Sequence, residues 1–220
     1  TLQVITLLTQ EYDQYQGEGD TDSSIQEKYP SLVVCPTSLA LNWQSEFKKF
    51  APHIKVLVMM GIVDERKKLF DEIENYDVVV TSYDLLKRDV ESYAGLHFRY
   101  CIADEAQYIK NANTLGAKSL KTIESEVRFA LTGTPIENSL AELWSIFDFL
   151  MPGLLFSYKK FREEMEMVII SGKNGEGEEK QEKIASERLR KMIRPFVLRR
   201  LKEEVLKVFE ELLEDIDIEM

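Results

Sequence analysis

Thiols and imidazoles are scarce in this chain: Cys35 and Cys101, His53 and His97 are all it has. Both cysteines sit in apolar, strand-like runs, "SLVVCP" and "RYCIADE", the setting of reduced core thiols. No cysteine or histidine spacing suggests a metal centre, and the histidines read as surface or loop residues. Long apolar runs are also missing. None approaches the ~18 to 20 residues needed to span a bilayer. The opening "TLQVITLLTQEY" lacks the basic start and the cleavage site of a secretory signal. No membrane partner is expected.

Positive charge is in short supply as well. Lys and Arg number 28 against 39 Asp and Glu, a net charge of −11. That argues against a surface that grips nucleic acid all over, because phosphate binding needs a positive face. It leaves room for a local groove, since net charge says little about distribution. Much of the acid lies late, in "NGEGEEKQEK" and "FEELLEDIDIE".

What is present, across 220 residues, is enough apolar sequence for a large core and a regular alternation of strand and helix. Residues 1–16 have helical apolar spacing (Leu2, Ile5, Leu8, Tyr12). "SLVVCP", "KVLVMM", "DVVVTSY", "RYCIADE" and "VRFALTGT" are short apolar runs of the kind that form buried parallel strands. Helical stretches separate them. One, "TSLALNWQSEFKKFAP", starts with Thr/Ser cap candidates and puts Leu39, Trp43, Phe47 and Phe50 on one face, which marks Trp43 and Phe47 as core. Short connections between alternating elements predict an α/β domain with a mostly parallel central sheet between helical layers. Beyond residue 139 the pattern turns helical, with a break expected at Pro195. The expected organisation is therefore a sheet domain over 1–139 and a helical extension over 140–220.

In an open parallel sheet, ligands sit beyond the carboxyl ends of the strands. The polar turns of this chain fall there: "CPTS", "TSY", "DEAQ" and "TGTPIEN". Adjacent carboxylates at Asp104 and Glu105 can divide labour, one holding a hard cation such as Mg²⁺ and the other orienting an attacking water. The same pair also reads as an acidic helix start. The hydroxyls of Thr132 and Thr134 can bond across the rim to those carboxylates or to a catalytic water, with Gly133 between them allowing a tight backbone; alone the three also read as a capped turn. The hydroxyls of "CPTS" and "TSY" suit phosphate oxygens and equally suit N-caps.

Taken together and in order, "DEAQYIKN", "LTGTPIENSLAELWSIFDFLMPGLL" and "IRPFVLRRLKEEVL" resemble the SWI/SNF family of DNA-translocating ATPases, within helicase superfamily two. The resemblance is to the first of that family's RecA-like lobes and spans essentially the whole chain. "SLVVCPTSLALNWQSEFKKF" is similar to its motif Ia region and "DVVVTSYDLLKRD" to its motif Ib. DEAD-box RNA helicases usually carry Ser-Ala-Thr where this chain has Thr-Gly-Thr, which disfavours an RNA helicase.

The resemblance implies ATP and Mg²⁺ as cofactors and double-stranded DNA as partner. Asp104 would hold the metal and Glu105 would position the hydrolytic water. Gln107 stands where many members have histidine. Thr132, Gly133 and Thr134 would couple nucleotide state to DNA and lobe movement. Pro36, Thr37, Ser38, Thr81, Ser82 and Tyr83 would lie along the DNA backbone. "TLQVITLL" resembles the helix after the family's phosphate-binding loop, so Thr1 would be that loop's last residue and a Mg²⁺ ligand. On that alignment the loop's glycines and lysine, and a second RecA-like lobe with its arginine finger, lie outside the chain. The resemblance then implies that this stretch alone is inactive. Arg199 and Arg200 would contact DNA, the second lobe or solvent. The implied location is cytoplasmic in a bacterium or archaeon, nuclear in a eukaryote. The competing reading is a non-enzymatic interaction scaffold on a decayed lobe.

Overall fold

A computed structural model describes residues 1–17, 29–133, 139–171 and 179–198. The expected strands form: β1 (Ser31–Cys35), β2 (Val56–Val58), β3 (Val78–Ser82), β4 (His97–Ala103) and β5 (Glu124–Ala130). They make one all-parallel sheet in the order β2-β3-β1-β4-β5. In β1 and β3 every residue is buried. That is why their sequences are continuous apolar runs rather than alternations. β1 lies between β3 and β4, with Val33 beside both Val80 and Ile102.

Side chains still alternate between the faces of the sheet. Val33, Cys35, Val78, Val80, Tyr100 and Ile102 point to one layer, where α1 (Leu2–Gly17) brings Val4, Ile5 and Leu8 and α2 (Ala40–Phe50) brings Trp43 and Phe47. Leu32, Val34, Val79, Cys101 and Ala103 point to the other. That layer holds Leu86 of α4 (Tyr83–Arg88), Leu120 of α5 (Leu115–Lys121) and Ile146 and Phe149 of α6 (Leu140–Leu150). Between β2 and β3 runs α3 (Val63–Asp71). Its Arg66 is buried and paired through both ends of the guanidinium with Asp89, at 2.6 and 2.7 Å, while Nη1 donates to the Gly61 carbonyl. Gly61 has φ +95°, a conformation that glycine adopts without steric cost. The pair fixes the turn after β2; removing one partner would strand a buried charge, a loss of roughly 3 to 5 kcal/mol.

Details depart from the sequence reading. Trp43 and Phe47 are buried as expected, but Phe50 is 44% exposed. It is the last residue of α2, and beyond it Ala51 and Ile54 take the core positions. The Thr37 and Ser38 side chains do not cap α2. Thr37–Leu39 instead form a 3-10 turn that feeds directly into the helix, without a side-chain cap bond. β5 starts earlier than its apolar run, at Glu124, paired opposite His97.

The chain divides into compact units, Thr1–Arg162 and Glu163–Met220. α6 and the short α7 (Tyr158–Phe161) belong to the first. The second contains α8 (Met167–Ser171) and α9 (Glu179–Ile193), with Met165, Ala185 and Leu189 buried and Arg188 3.8 Å from Glu164. α9 gives way to a 3-10 turn at Arg194–Phe196, where Pro195 was expected to interrupt it. Arg199 and Arg200 lie outside the described residues.

Candidate functional site

The site grows from the carboxyl end of β4. Asp104 extends the sheet ladder by one residue, its N–H donating to Val34 O at 2.8 Å. Its carboxylate is fixed on both oxygens: Trp43 Nε1 donates to Oδ2 at 2.9 Å and the Glu105 N–H donates to Oδ1 at 3.0 Å. Its carbonyl accepts from Tyr83 Oη at 2.9 Å. Burial and the nearby Asp104 carboxylate push the Tyr83 phenol up, so it stays protonated and serves as a donor.

Glu105 adopts a left-handed backbone, φ 51° and ψ 56°. A non-glycine residue there costs of order 1 to 3 kcal/mol, and such strain persists only where neighbouring contacts over-determine it. The contacts are visible. Ala106 N donates to Leu131 O at 2.8 Å, tying the turn to the end of β5. Gln107 Nε2 donates to Glu105 Oε2 at 2.8 Å, and Thr132 Oγ1 donates to Gln107 Oε1 at 3.2 Å. A hydroxyl, an amide and a carboxylate thus form one run across the rim between β5 and β4. Asp104, Glu105, Gln107 and Thr132 are brought together, all half-buried.

Gly133 is exposed, and an added Cβ would meet open space, so the turn does not demand glycine through crowding. Thr134 lies outside the described residues. Thr1 lines a pocket of about 270 Å³ with Leu39, Asn42, Trp43, Ser45, Glu46 and Asp104. Among the described residues no cluster of three or more His, Cys, Asp or Glu side chains is arranged to hold a metal. The Asp104 carboxylate, with the oxygen-bearing side chains of Thr1, Asn42, Ser45 and Glu46 lining the same pocket, is a donor set that fits a hard cation. Mg²⁺ takes one or two carboxylates and fills its other positions with water and phosphate.

The candidate backbone-contacting residues separate. Thr37 and Ser38 are exposed and Pro36 is half-buried, at the end of β1. Thr81, Ser82 and Tyr83 are buried at 0%, 2% and 7% exposure. Ser82 Oγ accepts from Leu85 N at 3.2 Å and caps α4. Tyr83 is committed to Asp104 and stacks on Tyr108, rings 5.2 Å apart and 3° from parallel. Ser82 and Tyr83 thus support the rim from inside, and the Thr81 side chain is buried. Cys35 and Cys101 are inert: burial pushes both thiols up to about 12.

Sequence reasoning missed the Trp43 contact with Asp104. Helical periodicity reports burial. It does not report which polar atom a buried indole N–H must find, although the need for some partner is general. Asn42, Ser45 and Glu46, on the same helix, were missed as pocket residues for the same reason.

A family model described as the SNF2-related domain matches residues 1–217. The TATA-binding protein-associated factor MOT1 of Saccharomyces cerevisiae is 41% identical over 212 residues, covering 94% of this chain and 11% of that protein. An ATP-dependent helicase of Mycoplasma genitalium, described as uncharacterized, is 39% identical over 202 residues, 91% of this chain and 18% of its own length. The chain therefore spans a small part of these relatives. Among solved structures, the Sulfolobus solfataricus SWI2/SNF2 ATPase core in complex with dsDNA is similar at 39% identity and a TM-score of 0.74, covering 90% of this chain and 37% of that one. Motif order, parallel sheet and sequence identity agree: the chain belongs to the SNF2-related domain family.

Proposed function

We propose that this chain forms the first RecA-like lobe of a motor that hydrolyses ATP to move along double-stranded DNA. The observation that carries the reading is the hydrogen-bonded run from Thr132 through Gln107 to Glu105, lying beside the fixed carboxylate of Asp104. Similarity to an ATPase core solved on duplex DNA supports the choice of substrate and partner.

Mg²⁺ bound with ATP would neutralise charge on the phosphates, held by Asp104 and Thr1. Glu105 has one oxygen engaged by Gln107. The other is left to orient an attacking water and accept its proton. Gln107 and Thr132 hold that carboxylate in place and tie it to the end of β5, from where Thr132, Gly133 and Thr134 pass nucleotide state toward the DNA and a second lobe of the same polypeptide. Pro36, Thr37 and Ser38 face the DNA backbone. Hydroxyls and main-chain amides read phosphates and carry no base information, so recognition is independent of sequence. The scaffold reading has no observation in its favour.

The test is Glu105→Gln in the full-length protein. DNA-stimulated ATPase falls by about 10² to 10⁴, the usual worth of a general base, while nucleotide binding persists. Wild-type turnover would remove Glu105 from the role. Stimulation by RNA in place of duplex DNA would reassign the partner.

A further inference from the structure

We propose that Trp43 is a positioning residue for the carboxylate of Asp104. Its indole N–H fixes the orientation in which that carboxylate meets the cation. The inference rests on the reading above, in which Asp104 holds the metal.

The contact joins residues far apart in sequence: Trp43 Nε1 to Asp104 Oδ2, 2.9 Å. The indole supplies a side-chain donor to this carboxylate, and the Glu105 main chain supplies the other bond, on Oδ1. A bond to an ionised acceptor is about twice as strong as a neutral one, and a water-poor setting strengthens it further. Trp43 is 1% exposed, so water is poorly placed to take over the role. The ring is held as well. It packs in the core layer with Ile5 and Phe47, its centroid 6.2 Å from that of Phe47, and cannot swing without disturbing that layer. Asp104 is otherwise anchored through its own N–H and carbonyl. With one bond on each carboxylate oxygen, each keeps a lone-pair direction for a cation or its water. Trp43, Thr1 and Asp104 also line the same pocket.

A bland account exists: a buried indole needs an acceptor, and Asp104 happens to be near. The accounts differ in what losing the N–H does to the metal. The partners of a metal-binding carboxylate typically change affinity 10- to 100-fold when removed. The experiment uses the full-length protein with ADP and Mn²⁺, free Mn²⁺ being followed by electron paramagnetic resonance. Trp43→Phe removes the donor. Benzothienylalanine at position 43 replaces N–H by sulfur within a ring of the same shape, which keeps the question answerable if the phenylalanine variant folds poorly. Phe47→Leu disturbs the same core layer without touching Asp104.

Both position-43 variants should hold Mn²⁺ about tenfold more weakly, with metal-free ADP affinity unchanged and Phe47→Leu at the wild-type level. Unchanged Mn²⁺ affinity at position 43 overturns the proposal, as does an equal loss in Phe47→Leu. Asp104→Asn separates this failure from failure of the underlying reading. If it leaves Mn²⁺ affinity unchanged, Asp104 is not the metal residue. If it abolishes retention while the position-43 variants do not weaken it, only the role of Trp43 falls.

Discussion

The turns after β1 and β3 look alike as sequence and behave oppositely as structure. Each closes a fully buried strand, each has a Thr-Ser pair at or just past the strand end, and the strands are neighbours in register, Cys35 beside Ser82. After β3 the hydroxyls belong to the strand's own end. Thr81 and Ser82 are its last residues, and α4 begins at once with Ser82 as its cap. After β1, Pro36 intervenes. Proline has no N–H to extend a ladder, and Thr37 and Ser38 fall into a 3-10 turn whose bonds run through the main chain. A shift of three positions relative to the strand end decides whether the hydroxyls are buried or face solvent.

The comparison breaks most visibly at Tyr83. Its ring is buried, stacked on Tyr108 and bonded to the Asp104 carbonyl. Tyr83→Ala should cost about 3 to 5 kcal/mol, the range for buried aromatic truncations, read by urea unfolding. Tyr83→Phe keeps the packing and gives up one hydrogen bond, so about 1 kcal/mol. A loss as large for phenylalanine as for alanine would mean that the hydroxyl, not the ring, holds this turn.

Next in size is Ser82→Ala. It deletes the cap of α4, expected to cost about 1 kcal/mol. DNA affinity of the full-length protein should stay within twofold, since this hydroxyl is buried. A fall in DNA affinity without a fall in stability would return Ser82 to the surface.

These residues show what a sequence can and cannot convey. The sheet was legible because a strand covered on both faces must be continuously apolar, as "SLVVC" and "VVVTS" are. The approach of the turn at Asp104 and Glu105 to the end of β5 was legible because carboxyl ends of parallel strands share a rim, and β4 and β5 are adjacent. The first residues of β5, "ESE", were not: this strand's other edge is unpaired among the described residues, and main-chain pairing alone holds its polar start. Gln107 was singled out, but not as the bridge from Thr132 to Glu105, because that depends on a rotamer rather than on a pattern. The split between Thr37–Ser38 and Thr81–Ser82 was hidden for a related reason. Residue type predicts a turn, and the turn's offset from the strand end predicts exposure.

The smallest expected stability change belongs to the turn after β1. Thr37 and Ser38 are exposed and make no side-chain cap bond to α2. Thr37→Ala with Ser38→Ala should therefore move unfolding by less than about 0.5 kcal/mol, the usual span for surface positions. On the proposed reading these hydroxyls contact DNA phosphates, and removing both should weaken duplex binding by the full-length protein about tenfold, ~1.4 kcal/mol. The salt dependence should keep its slope, because that slope counts phosphates neutralised by cationic side chains and neither residue is charged. Stability and affinity would then separate in opposite ways at the paired turns: Ser82→Ala loses fold and keeps DNA, while the Thr37 and Ser38 double variant keeps fold and loses DNA. A double variant that binds duplex DNA like the wild type would leave the exposed hydroxyls without that role and move the search for phosphate contacts to the chain's cationic side chains.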